Sequence, residues 1–329
     1  MKTFDNRPAR PAQIPERFAE YFRVDAEIGR KVLLKSLISS TLFACLGVAL
    51  AHAARADEVN RKLDAAPAGT VSIDNTAGSV LVRGWSNDEV EVSGDLGGDV
   101  EELVFERDGN VVNVHVRTKR SSGRAIDTDL VVRVPERSTV KVGGVSLDIE
   151  VTDVRGPQRL STVSGDVTSR AYEADIDIES VSGDIDVQGG GENARTNVNT
   201  VSGDIDVIDL AGEIEITSVS GDLSVKGGRW SRVAANTTSG DFDFNGELLG
   251  NGRLDVETIN GDLEVIFEGE LSAEIDVETF NGDIDTCFGP EALRTSRYAP
   301  GSELKFTEGD GAGRVTIRTL NGDLHLCKD

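Results

Sequence analysis

The stretch ESVSGDIDV (residues 179–187) decides the fold, because the chain writes it again: NTVSGDIDV (199–207), TSVSGDLSV (217–225), ETINGDLEV (257–265) and ETFNGDIDT (278–286). With the Asp of each phrase as position 0, the anchors are Asp148 (a weaker copy), Asp166, Asp184, Asp204, Asp222, Asp241, Asp262, Asp283 and Asp323. Successive gaps are 18, 18, 20, 18, 19, 21, 21 and 40 residues, the last being two periods or one period with a long insertion. A sustained period near 20 marks supersecondary units that stack on copies of themselves.

Aligned on that Asp, apolar residues fall into columns. Position −8 holds Ile176, Ile214, Val233, Leu254, Ile275 and Val315, and position −6 holds Ile178, Val198, Ile216, Val256, Val277 and Ile317. Position −3 holds Val163, Val181, Val201, Val219, Ile259, Phe280 and Leu320, while +1 and +3 hold pairs such as Ile185/Val187 and Phe242/Phe244. Alternation of apolar and polar residues is the period of a strand with one buried face. The alternation slips between −4 and −3, which predicts a corner between two short strands. One strand pair cannot bury its own apolar face, but copies stacked in parallel about ~4.8 Å apart can. The expected fold is therefore all-β: a single-stranded, right-handed parallel β-helix, or β-solenoid, of ~20-residue rungs with these columns inside. A hydroxyl at −4 in each clear copy (Thr162, Ser180, Thr200, Ser218, Thr237, Thr258, Thr279, Thr319) suits bent backbone at a corner. The Gly at −1 suits a position that needs positive φ or no side chain.

Cys287 and Cys327 each lie four residues after an anchor Asp and so share a column. On adjacent rungs their Cα atoms would be about ~4.8 Å apart, inside the disulfide range. A Cys287–Cys327 bridge is expected, closing the loop 288–313 and pinning the last rung. Earlier residues read differently. GTVSIDNTAGSVLVRGW (69–85) resembles a further rung, VEELVFERDGNVVNVHVRTKR (100–120) a hairpin about Asp108-Gly109-Asn110, and DLVVRVP (129–135) a strand. Residues 57–135 are expected to cap the solenoid of 136–329.

The apolar run SLISSTLFACLGVALAHAA (36–54), preceded by Arg30, Lys31 and Lys35, reads as a secretory signal peptide over 32–56, with cleavage before Asp57. An uncleaved anchor, the one membrane contact expected, and a lipoprotein ending its signal at Cys45 are the alternatives. Residues 1–31 read as a misassigned upstream extension or a cytoplasmic tail. An exported protein, periplasmic or at the cell surface, follows from the signal reading.

The net charge of −24 argues against nucleic acid, which needs a basic footprint. Asp166, Asp184, Asp186, Asp204, Asp206, Asp222, Asp241, Asp243, Asp262, Asp283 and Asp285 form an outward ladder at positions 0 and +2. It is either a solvated face that blocks edge pairing or a ladder for cations, meaning Ca²⁺ on oxygen ligands or a basic peptide or protein. The Ca²⁺-solenoid phrase GGxGxDxUx is absent. The sequence contains no GxSxG or HExxH and no metal-type Cys/His cluster, and His325 reads as plain surface. Near-equivalent acids from rung to rung do not make the differentiated pair that glycoside chemistry requires.

The SGDI/NGDI repeats, the signal segment, Gly84-Trp85 and the closing RTLNGDLHL (318–326) resemble a bacterial adhesin-like family of unknown function. That family is related to the GIN auto-transporter adhesin head and toastrack domains. The resemblance covers residues 69–329 and implies a β-helix-like domain at the cell envelope with no catalytic residues or cofactor to carry over. The cysteine pair and the insertion before the last rung depart from it. The leading expectation is an exported non-enzymatic binding or adhesion module for an envelope or cell-surface ligand. A polysaccharide-acting β-helix enzyme and an envelope-stress sensor of cationic peptides are the rivals.

Overall fold

The computed structural model describes residues 57–119, 126–190, 193–294 and 300–329; the upstream extension and the signal segment lie outside them. The described residues form strands and turns with no helix. The inner columns expected at −8, −6, +1 and +3 are buried throughout, for example Ile176, Ile178, Ile185 and Val187 at 2% exposure or less. Each such side chain contributes about 1.5–3 kcal/mol on burial. The gain exists only because the next rung lies on top.

The rungs stack in parallel register through two strands each. Ile185 pairs with Val167 on one side and Ile205 on the other, and Ile205 pairs in turn with Leu223. The companion strands stack Gln158, Ile176, Thr196 and Ile214 in the same order. In two rungs the strands fuse into long ones, Leu223–Asn236 and Phe242–Asn260, with register shifts in place of a break. Trp230 is fully buried beside that irregular stretch and donates Nε1–H to the Gly227 carbonyl at 3.0 Å.

The Gly at −1 is required by geometry. Gly203 has φ +121°, and a Cβ there would stand 2.1 Å from the carbonyl oxygen of Gly183 one rung below. The same collision repeats up the column. The expected hydroxyl corner is also present: Thr200 and Ser218 are buried and donate to the carbonyls of Ser202 and Ser220 at 3.2 Å. Thr258 and Thr319 are exceptions, buried without a partner for Oγ1.

The position −3 column is a correction. Val201, Val219, Ile259, Phe280 and Leu320 are 42–50% exposed rather than inside. The slip in alternation is a tight bend in which −4 points in and −3 points out. Counting apolar residues at −3 as core mistook the outer side of the corner for the inner one.

The sheet is mixed rather than purely parallel, which is a second correction. The N-terminal strands are β1 (Asp57–Asp64), β2 (Thr70–Trp85), β3 (Glu89–Leu96), β4 (Val100–Asp108), β5 (Val111–Thr118), β6 (Thr128–Pro135) and β7 (Thr139–Thr152). β2 is parallel to β7 on one side and to β5 and β6 on the other. β4 then runs antiparallel to β5, as the hairpin reading expected, β3 antiparallel to β6, and β1 antiparallel to β3. At the other end, Gly313–Asn321 lies between Phe242–Asn260 and Ala273–Asn281, parallel to both. Ser302–Glu308 covers Ala273–Asn281 antiparallel, and Leu293–Arg294 adds to it. Both ends share one device: a chain-terminal rung is tucked one layer inside, and antiparallel strands cover the outermost layer. An open rung would present unpaired N–H and C=O groups, and antiparallel cover consumes them. Cys287 and Cys327 are bridged across adjacent rungs with Cα atoms 4.9 Å apart. The chain's last rung is interior, so the bridge ties it to the outermost rung rather than pinning an end.

Candidate functional site

The side chains that leave the stack are those at −3, −2, 0 and +2, and the bend sets their order. Position −2 continues the ladder as isolated parallel bridges, Ser164 to Ser182 to Ser202 to Ser220 to Ser239 to Asn260. Asn takes over this column from Asn260, and its amides hydrogen-bond rung to rung: Asn321 Nδ2–H donates to Asn260 at 2.8 Å and Asn281 to Asn321 at 2.9 Å.

The acids at position 0 have a backbone task. The N–H of Asp184 donates to the Asp166 carboxylate at 3.0 Å, Asp204 to Asp184 at 3.0 Å, Asp222 to Asp204 at 2.8 Å, and Asp241 and Asp262 continue at 2.8 Å. The last steps run from Asp323 to Asp262 and from Asp283 to Asp323. After the positive-φ glycine, the Asp N–H is turned along the stacking axis, where no carbonyl meets it. The carboxylate of the rung below does. Asp is repeated because each copy satisfies its neighbour. A signal for this was present in the sequence: position 0 is Asp in each copy, whereas +2 varies among Thr168, Asp186, Asp206, Ser224, Asp243, Glu264, Asp285 and His325.

At +2 the acids face each other across rungs, with Asp186 in register with Asp206 and Asp243 with Glu264. Burial raises the Asp186 carboxyl above the usual carboxylate range, reinforced by the charges of Asp206, Asp184 and Asp166. Asp243 is raised the same way, by burial and then Glu264, with Lys226 opposing. Among the described residues no Lys or Arg forms an ion pair with a position-0 carboxylate, whereas some acids on the companion strands have cross-rung basic partners. Examples are Arg159 with Asp177 at 3.1 Å, Arg195 with Glu213 at 3.0 Å and Arg229 with Glu247 at 3.0 Å. The 0/+2 face thus carries a column of acids whose position-0 members are without basic partners among the described residues, with Lys226 acting on Asp243.

Beside that face runs the −3 ridge, ordered in space as Val145, Val163, Val181, Val201, Val219, Thr238, Ile259, Leu320 and Phe280. At ~4.8 Å per rung it is roughly 40 Å long. Its backbone is committed to the stack, since Ser202 N–H donates to Val181 and Ser220 N–H to Val201 at 2.9–3.0 Å. The ridge therefore offers side chains and no free strand edge.

Residues 70–326 match the family described as Toastrack DUF4097. The chain belongs to that family. This agrees with the relationship read from the SGD/NGD phrases. No curated protein matches the toastrack chain. Among solved structures, the chain is similar to a "putative lipid binding protein" from Parabacteroides distasonis at 12% identity and TM-score 0.33, covering 83% of this chain and 97% of that one. It is also similar to a "putative adhesin" from Bacteroides fragilis at 11% identity and TM-score 0.32, covering 83% and 97%. A "putative cell adhesion protein" from Clostridium sporogenes matches at 7% identity and TM-score 0.27, covering 83% and 100%.

The structure also assembles a group that the sequence reading kept apart. The ligand atoms of Cys287, His325 and Cys327 lie within 4.8 Å of one another, the two cysteines being joined by the disulfide. The spacing His325-Leu326-Cys327 was its only local signal, because the third member comes from another rung.

Proposed function

We propose that this toastrack protein is an exported, non-enzymatic envelope binding or adhesion module that grips its partner along the −3 ridge. The carrying observation is a largely apolar line from Val145 to Phe280, interrupted by Thr238 and exposed at Val145, Val201, Val219, Ile259, Leu320 and Phe280, bordered by a face whose position-0 carboxylates have no ion pair among the described residues. A contiguous apolar surface on a soluble domain marks an interaction site. The flanking charge selects a basic partner, and the net charge of −24 disfavours a second copy of the same face. The partner is an extended cationic segment of an envelope or surface protein, with apolar side chains toward the ridge and Lys or Arg toward the 0/+2 acids. The signal-like segment at 32–56 supports export. The parallel rung-to-rung connections support a right-handed coil.

Fluorescence anisotropy with a short alternating Lys–Val peptide tests this reading. Binding is expected to weaken with salt and to fall about tenfold, ~1.4 kcal/mol, in the Val201→Ser/Val219→Ser/Ile259→Ser variant. A Lys–Ser peptide is expected to bind less tightly. Unchanged affinity in the ridge variant would remove the ridge as the site.

A further inference from the structure

We propose that Cys287, Cys327 and His325 form, once the disulfide is reduced, a site for a thiophilic divalent cation of the Zn²⁺ class. The inference stands apart from the ridge and rests on three-dimensional placement. His325 and Cys327 are two residues apart on the strand Leu324–Lys328 and therefore project to the same side. Cys287 follows the neighbouring strand Ile284–Thr286, and its N–H donates to the Leu326 carbonyl at 3.0 Å. That backbone bond sets Cys287 opposite Cys327 in addition to the S–S link. His325 Nε2 lies 3.2 Å from Cys327 Sγ, and all three ligand atoms fall within 4.8 Å. Ligands at 2.0–2.3 Å from a tetrahedral ion are themselves roughly 3.3–3.8 Å apart, so small side-chain adjustments admit the ion.

Accessibility favours the same conclusion. Cys287 and His325 are exposed and Cys327 is buried, so the cluster opens to solvent on one side. Two thiolates and an imidazole are a borderline-soft donor set that prefers Zn²⁺ over Ca²⁺ or Mg²⁺. Three protein ligands leave the fourth position for water. In the +2 column His325 lies in register between Glu264 and Asp285, whose charges favour a bound cation.

The chemistry balances. A dithiol reductant gives two electrons and two protons to the Cys287–Cys327 bond and becomes a disulfide itself. Both cysteines are then thiols. Binding the cation releases their two protons as the sulfurs become thiolates, while neutral His325 donates its nitrogen lone pair. The oxidised protein has no thiolate to offer, so the bridge is the gate.

The test titrates Co²⁺ into the purified protein, reduced with a dithiol and freed of it without oxygen. One equivalent is expected to produce thiolate-to-Co²⁺ absorption in the near ultraviolet and intense visible bands of a tetrahedral ion, both removed by Zn²⁺. The oxidised protein should show neither. His325→Ala should weaken binding at least about tenfold and shift the visible bands. Far-ultraviolet circular dichroism of the reduced parent checks that the fold persists, so the parent alone can decide. Absence of the near-ultraviolet band in folded reduced protein would overturn the proposal. So would a His325→Ala variant that titrates like the parent.

Discussion

The N–H of Asp323 donates to the carboxylate of Asp262 at 2.8 Å across 61 residues of sequence, leaving Asp283 as the outer neighbour of Asp323. The chain builds the Asp262 rung, passes over a vacant layer to build the Asp283 rung, turns back through Ser302–Glu308, and fills the gap with its last strands. β2 sits equally deep at the other end. The closing rung is gripped from both sides, Leu324–Lys328 lying between Leu263–Phe267 and Ile284–Thr286.

Reduction of Cys287–Cys327 should accordingly loosen the C-terminal layers before the rest. The bridge closes a 40-residue separation, for which chain entropy contributes about 3–4 kcal/mol. Hydrogen exchange is expected to accelerate at Ile284–Thr286 and Leu324–Lys328 in metal-free reduced protein, while Ile185–Gln188 stays protected. Uniform acceleration along the chain would show instead that the solenoid opens as one unit.

The Asp ladder separates charge from hydrogen bonding. Asp204 Oδ1 accepts the N–H of Asp222. Asp204→Asn keeps an acceptor and should melt within a degree or two of the parent, whereas Asp204→Ala should lose about 1 kcal/mol. Equal losses in both variants would mean that the negative charge itself stabilises the column.

These residues show what the sequence disclosed. The inner columns were legible because Ile, Val and Leu repeat in register, and burial needs nothing else. The outward turn of Val201 and Phe280 was hidden because an apolar residue at a bend reads like an apolar residue in a core. The role of Asp204 lay in its strictness within the chain, next to the variety at +2. The order of the last rungs was illegible in principle, since equivalent copies carry no label of position. Asn260, Asn281 and Asn321 mark three rungs as neighbours without saying which is in the middle.

Acid should favour the +2 face. Asp186 and Asp243 titrate above their ordinary value of 3.8, so the folded state holds these protons more tightly than the unfolded chain. Their contribution is unperturbed below the ordinary value and becomes a penalty as pH rises through the raised one. Asp186→Asn and Asp243→Asn should therefore raise Tm at about pH 7 and lose that advantage near pH 3. A gain that persists at low pH would point to packing rather than charge.

Divalent cations should act by screening alone. One oxygen of each inner position-0 carboxylate is already engaged by backbone, and the +2 column mixes acids with Ser224 and His325. Millimolar Ca²⁺ and Mg²⁺ at equal ionic strength are expected to raise the Tm of the disulfide-bonded protein by the same amount. A rise specific to Ca²⁺ would turn the ladder into a calcium site and make partner binding calcium-dependent.

The glycine column should be the least forgiving place in the molecule. Ala at Gly203 puts its Cβ 2.1 Å from the Gly183 carbonyl oxygen and also takes a φ of +121°. Relief requires the two rungs to separate, which breaks the Asp204-to-Asp184 bond that joins them. Gly203→Ala should cost on the order of 3 kcal/mol or more. Gly250→Ala, where a new Cβ meets nothing within 4 Å, should leave stability nearly unchanged. Chemical denaturation of the two variants side by side decides it: a mild Gly203→Ala would mean the rungs can slide apart at the bend, and the stack would then be held by its inner columns rather than its corner.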